Sequence, residues 1–158
     1  MSLAPGEHSQ PGLTQVMLST RLISELGDPH STLRATVQRN GPAVIIRAGG
    51  EIDASNEDTW RRLVTEAAAV AAPPGPLVVD VSGCDFMGCC AISVLADEAE
   101  RCRSRGVGLR LVSCNPSVAR IIAACELSVI LPVHPTTDSA LSPAVGLRPQ
   151  DPPGNWCE

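Results

Sequence analysis

The stretch LVVDVS, Leu77 to Ser82, is rich in apolar residues at consecutive positions rather than at every second one. A strand with one wet face alternates apolar and polar side chains, so a run of this kind asks for cover on both sides. That requirement places it at the centre of a sheet with helices packed on it. Parallel neighbours are the expectation, because covering helices arrive as crossover connections. The flanking sequence supplies those helices. Before the run, Trp60, Leu63, Val64 and Ala67 recur at helical spacing until APPGP, Ala72 to Pro76, stops them. After it, Ile92, Leu95, Ala99 and Cys102 recur at three and four residues from a start at Cys89. Asp97, Glu98, Arg101 and Arg105 take the other face, and Gly106 closes the helix.

The pattern extends both ways. Thr32 to Gln38 reads as a strand, Asn40-Gly41-Pro42 as a turn and AVIIRAGGEI, Ala43 to Ile52, as a second strand, so a hairpin opens the domain. A helix is expected from Asp53, where Asp53 or Ser55 can accept an orphan backbone N–H. GLRLVSC, Gly108 to Cys114, is a further strand. Asn115 then caps a helix opened by Pro116 and carrying Val118, Ile121, Ile122 and Ala124. VILPV, Val129 to Val133, reads as a last short strand, and PTTDSALSPA as a terminal helix. The order is β β α β α β α β α, which is an α/β domain with a mostly parallel mixed sheet of about five strands and about four helices.

A chain of 158 residues has room for one domain. Residues 1–30 read as an N-terminal extension, in which Leu18, Leu22 and Leu26 mark a short amphipathic helix. The domain spans 31–143. Residues 144–158, proline-rich and without periodicity, read as a mobile tail.

Composition narrows the function. The net charge is -5 and no basic run exceeds the pair Arg61 and Arg62, so the footprint of a nucleic-acid binder is missing. The apolar share is 44% with no Tyr and a single Phe, which makes the core aliphatic and leaves no aromatic platform for bases or sugars. No apolar stretch approaches the roughly 20 residues of a membrane helix, and a cytoplasmic protein is expected. Seven cysteines in no CxxC spacing fit reduced thiols better than a disulfide framework. Cys102 and Cys125 fall on apolar helical faces and are expected to be buried, while Cys157 lies in the tail. His8, His30 and His134 stand alone. With no Ser-His-acid arrangement, phosphate loop or carboxylate pair, the sequence offers no catalytic residue, no cofactor site and no enzyme.

One set of segments carries a family resemblance: GEID (Gly50 to Asp53), LVVDVSGCDFMGCCAISVL (Leu77 to Leu95), GLRLVSCNPSVARIIAACEL (Gly108 to Leu127) and LPVHPTTDSAL (Leu131 to Leu141). Together they resemble the STAS domain of anti-sigma factor antagonists. The resemblance implies the STAS fold. It also implies a protein, monomeric or weakly dimeric, that competes for an anti-sigma factor resembling a serine-kinase-type ATPase and so frees a sigma factor for transcription. In such domains the segment after the central strand reads Asp-Ser-Ser-Gly, and its first Ser is the phospho-acceptor. By the same spacing after DFM, that quartet falls on Gly88, Cys89, Cys90 and Ala91, and all four depart from the pattern. The partner face implied comprises Asp53, Asp85, Gly88, Cys89, Cys90 and Ala91, with Asp85 to Ala91 as a loop; Asp53 also suits a helix N-cap. An alternative is a small-molecule or nucleotide sensing module, which an apolar pocket beneath this loop would mark. A weak enzyme built on a Cys89 thiolate would need His134 beside it.

Cys89, the phospho-acceptor equivalent, takes no ordinary serine phosphorylation, and three readings of the pair stand side by side. The thiols are near-isosteres of Ser that pack by the partner surface, with regulation lost. Or they respond to oxidants at a helix N-terminus, where the dipole favours a thiolate and a sulfinate would put negative charge where the family puts phosphate. Or Cys84, Cys89 and Cys90 bind zinc, though no His neighbours them. The redox candidates are Cys84, Cys89, Cys90 and Cys114. Cys84 and Cys114 both follow strands at one end of the sheet, where a disulfide would require close Cα atoms.

Overall fold

The computed structural model describes residues 13–73 and 75–141; residues 1–12, with His8, and residues 142–158, with Cys157 and the proline-rich tail, lie outside the described residues. The hairpin expected from the sequence forms between β2 (Leu33–Asn40) and β3 (Ala43–Ile52), antiparallel from Leu33 opposite Gly50 to Asn40 opposite Ala43. Its turn is made by Gly41 at φ 63, a backbone conformation that costs glycine nothing. β4 (Leu77–Met87) runs parallel to β3, β5 (Leu109–Val112) parallel to β4, and β6 (Val133–His134) parallel to β5. The sixth strand is β1 (Leu13–Gln15), antiparallel to β2. It raises the expected count of five, and its three residues are too short to carry a period. The strands lie side by side in chain order, β1 to β6.

The continuous run of β4 is explained by what covers it. Leu77 and Val79 join the main core, built with Leu22 of α1 (Thr20–Leu26), Trp60, Leu63, Val64 and Ala67 of α2 (Glu57–Val70), Ile92, Leu95, Ala99 and Cys102 of α3 (Cys89–Ser104), and Val118 and Ile122 of α4 (Pro116–Ala124). Val78, between them, points to the opposite face and meets Ile45, Val112 and Ala140 of α5 (Thr137–Leu141). Each fully buried Val or Leu side chain contributes roughly 1.5–3 kcal/mol of transfer free energy, so both layers are needed to hold this strand.

Polar contacts fix the helices on the sheet. The Trp60 indole N–H donates to the Ala91 carbonyl at 3.1 Å and ties α2 to the first turn of α3. Ser19, the N-cap of α1, donates from its backbone N–H and its hydroxyl to the two Glu66 carboxylate oxygens of α2, at 2.8 and 2.6 Å. Glu25 accepts from Thr59, Arg21 and Arg62. Those bonds, the Thr59 hydroxyl first, hold its carboxyl below the ordinary value of 4.5.

Three sequence expectations change. The helix at Asp53 begins as a 3-10 turn, Ala54–Asn56, before α2 proper. VILPV is not a strand: the N–H groups of Ile130 and Leu131 turn back to the Leu127 carbonyl, which buries Leu131, and pairing starts only at Val133. Cys125 is exposed rather than buried, because α4 ends at Ala124 and leaves it as the C-cap, outside the stripe of Val118 and Ile122.

Gly50 carries the tightest contact of the hairpin: at φ +89, a Cβ there would lie 1.9 Å from the Thr32 carbonyl oxygen. Gly50→Ala is expected to cost more than the roughly 1–2 kcal/mol of a left-handed backbone alone, read as a lower urea midpoint by far-UV circular dichroism. For Glu25, whose folded pKa is depressed, the contribution to α1 docking is present above 4.5 and lost as pH falls through its lower folded value. Amide exchange across Thr20–Leu26 should therefore accelerate below pH 4.5 relative to α3, after correction for intrinsic rates.

Candidate functional site

The site is built where β3 and β4 end. β4 does not stop at Ser82 but continues to Met87, and its register against β3 shifts twice, between Arg47 and Gly49 and between Gly50 and Glu51. Asp85, Phe86 and Met87 therefore belong to the strand, not to a loop. Gly88 alone joins β4 to α3, as the helix N-cap with φ -74. Its N–H donates to the Ile52 carbonyl at 2.9 Å, and the Ala91 N–H donates to the Gly88 carbonyl at 3.0 Å. Because Ile52 lies opposite Met87, the residue after it, Asp53, is delivered next to Gly88. Two segments more than thirty positions apart meet through that pairing.

Asp53 is a cap as well as a surface carboxylate. Its Oδ1 accepts from the Ser55 N–H at 2.9 Å and from the Ser55 hydroxyl at 2.6 Å, while its own N–H donates to Asn56 Oδ1 at 3.0 Å. The Ser55 hydroxyl, then the backbone bond, hold the Asp53 carboxyl below the ordinary range. Asn56 also donates to the Glu51 carbonyl at 2.9 Å, so the corner after β3 is braced from both sides.

Cys89 is exposed and Cys90 half-buried. No side chain caps α3 at Gly88, and Cys89 and Cys90 are the first two residues of the helix. Ala91 is different: it is fully buried and its carbonyl is held by Trp60, so its side chain belongs to the core and not to a partner surface. Of the six face residues expected from the sequence, Asp53, Asp85, Gly88, Cys89 and Cys90 are reachable from solvent.

The other thiols are set apart. Cys84 is half-buried opposite Gly50; burial first, then Asp80 and Asp85, push its thiol up to about 11. Cys114 is exposed and its thiol contacts the Pro135 carbonyl at 3.5 Å. Pairing of β4 with β5 ends at Asp80 and Val112, and both cysteines are unbridged. Burial likewise raises the pKa of Cys102. His134 sits on β6, two strands from β4, with its Nδ1 3.3 Å from the Ser139 hydroxyl, so it does not partner Cys89. Burial, then Arg110, hold that imidazole below 6.5. Among the described residues no three Cys, His, Asp or Glu side chains gather as a metal site. A shallow depression of about 290 Å³ is lined by Arg34, Thr36, Arg47, Asp80, Gly49 and Gly83. It opens on the sheet face away from α2 and α3, not beneath Cys89.

Sequence reasoning missed Phe86. It is the only Phe in the chain and is 53% exposed on the last turnout of β4, two residues before Gly88. The available signal was a lone aromatic in a chain with an aliphatic core, placed next to the helix start rather than within the apolar run.

A family model described as the STAS domain matches residues 34–140. The chain is 62% identical over 133 residues to the Mycobacterium tuberculosis protein Rv2638, across 84% of this chain and 90% of that one. It is 63% identical over 112 residues to the anti-sigma-F factor antagonist RsfA of the same species, across 71% of this chain and 88% of RsfA. Among solved structures, an anti-sigma factor antagonist from Mycobacterium paratuberculosis aligns with a TM-score of 0.62 at 27% identity, over 72% of this chain and 93% of its own. The unphosphorylated anti-sigma factor antagonist SpoIIAA aligns at 0.54 over 67% of this chain and 91% of its own; at 16% identity that likeness is one of fold.

The thiol environments predict an order of reactivity. At pH 8, about one Cys84 in a thousand is thiolate if its pKa is about 11. Brief alkylation followed by peptide mass spectrometry should label Cys89, Cys114 and Cys125 first, and Cys84 and Cys102 only after unfolding. Early labelling of Cys84 would contradict the burial described for it.

Proposed function

The chain belongs to the STAS domain family, and from that premise we propose that it is an anti-sigma factor antagonist: it docks on an anti-sigma factor and so frees a sigma factor for transcription. The observation that carries this reading is the meeting of Asp53 with Gly88 and Cys89 at the mouth of α3, through the Ile52 carbonyl and the Gly88 N–H. The 63% identity to a protein named as an anti-sigma-F factor antagonist supports it. The mechanism is competition for a shared partner, with no catalytic step. The partner is of the serine-kinase-like ATPase type, and the antagonist acts in the cytoplasm as a monomer or weak dimer. Among the described residues no helix is long and apolar enough to cross a membrane.

Regulation differs from serine phosphorylation, because Cys89 stands at the phospho-acceptor position. We read Cys89 as an oxidant-sensitive switch. A peroxide supplies the oxidant: the thiolate sulfur takes one oxygen as the O–O bond breaks and hydroxide leaves, and a second equivalent gives the sulfinate. That anion forms at a helix N-terminus, which tolerates it, on a surface that must still fit the partner. Exposure singles out Cys89 for this role over Cys84, whose raised pKa keeps it a thiol.

Pull-down on immobilised anti-sigma-F factor of Mycobacterium tuberculosis, and on anti-sigma factors of the source organism, tests both levels. Wild type is expected to be retained. Cys89→Asp should bind at least tenfold more weakly, which corresponds to about 1.4 kcal/mol. Mild peroxide should have the same effect, with a two-oxygen adduct on Cys89. If neither protein binds any candidate, the antagonist reading fails. Equal binding of both removes the charge switch, and unmodified Cys89 with unchanged affinity removes oxidant control.

A further inference from the structure

We propose that Phe86 is the apolar anchor of the docking surface, set among unpaired carboxylates, and that the anti-sigma factor receives it in an apolar pocket rimmed by Arg or Lys. The proposal rests on the antagonist reading and adds to it the residue and the chemistry of recognition.

Core side chains in this protein are aliphatic apart from the buried Trp60, and most of them are wholly excluded from solvent. Phe86 is 53% exposed. An aromatic ring left in water is unfavourable for an isolated chain and favourable for one that will be covered, and rings of this kind dominate interface energetics. Its placement is built into the sheet. Gly49 and Gly83 face each other, and a Cβ on either would come within 3.3 Å of a backbone oxygen across the strands. Around that contact the register of β4 shifts, so that Phe86 lies opposite Glu51 and Met87 opposite Ile52. The Phe86 Cε2 lies 3.6 Å from the position a Gly88 Cβ would occupy, and Cys90 Sγ lies 3.7 Å from the same point. Glycine at 88 adds no side chain between the ring and the start of α3. Ring, helix start and Cys90 form one continuous surface.

The charges around the ring commit the partner. Glu51 and Asp85 are exposed, one opposite Phe86 and one adjacent to it, and Asp53 is half-exposed beside Gly88. Elsewhere among the described residues, Glu25, Glu57, Asp97 and Glu98 are each paired with an arginine, whereas Asp58, Glu100 and Glu126 lack one but have no exposed aromatic ring beside them. Among the described residues, the side chains of Glu51 and Asp85 have no such partner. Carboxylates left uncompensated around an exposed ring complement a basic rim around an apolar pocket, the arrangement that speeds encounter and fixes orientation. The other exposed large apolar residues, Met17, Ile23 and Val129, lie on the β1–α1 segment and before β6. Val129 is at the N-terminal end of the parallel strands, the end away from Gly88.

The test measures association and dissociation of the full chain with the Mycobacterium tuberculosis anti-sigma-F factor by surface plasmon resonance. Phe86→Ala is expected to weaken binding at least about thirtyfold, chiefly through faster dissociation, with an unchanged far-UV spectrum and urea midpoint. Val129→Ser should bind like wild type. Glu51→Lys combined with Asp85→Lys should slow association and abolish or invert its salt dependence. A folded Phe86→Ala that binds like wild type overturns the anchor, and an unchanged salt dependence in the double lysine variant overturns the basic rim. Failure of the wild type to bind this or any other anti-sigma factor defeats the antagonist reading itself, which is a different result from loss confined to Phe86→Ala.

Discussion

The pairing of β3 with β4 beyond the bulge is the constraint on which the rest of this surface depends. Inside the core the two strands are parallel and regular, from Val44 opposite Leu77 to Arg47 opposite Asp80. Past it they continue only because two glycines can approach closely, and because Gly50 accepts a backbone that a side chain would strain. The continuation carries the Ile52 carbonyl to the Gly88 N–H. With that bond in place, α3 begins where it does, Asp53 stands at its mouth and Phe86 turns outward. Trp60 completes the arrangement from below by holding the Ala91 carbonyl, so the first turn of α3 is fixed on both sides.

Electrostatics divides the molecule in the same way. Toward α1 and α2, Glu25 and Glu66 are committed to structure: Glu25 gathers Thr59, Arg21 and Arg62, and Glu66 holds Ser19. At the end of β4 they are not. Asp53 is engaged only by its own turn, and the acidity there raises the Cys84 pKa through Asp80 and Asp85 after burial has done so.

Much of this was legible in the residues, and what was not has identifiable causes. The continuous apolar run of Leu77–Val79 gave its central, doubly covered position, since periodicity reports burial directly. The caps at Asp53 and Asn115 were readable because capping is local chemistry. β1 was invisible, as three residues hold no period and pair only through backbone groups. VILPV misled because its composition suits a strand, while the turn after α4 used the same apolar residues to bury Leu131. Spacing put the start of a helix at Cys89, where α3 begins, but it could not tell that β4 runs to Met87 or that Ala91 faces the core; both follow from contacts between segments far apart in sequence.

Strand order in this sheet equals chain order, from β1 to β6, so no strand has to be threaded between two that are already joined. Each new strand finds its neighbour waiting as an open edge, and outside the β2–β3 hairpin a helix has been made just before it. Loop closures stay short throughout, which favours fast assembly and suits a chain folding as it leaves the ribosome. The surface proposed for docking, at β3, β4 and the start of α3, is complete once α3 has emerged, while β5, α4, β6 and α5 still extend the sheet on one side. Synthesis order therefore leaves the β3–β4–α3 corner assembled before the β6 edge.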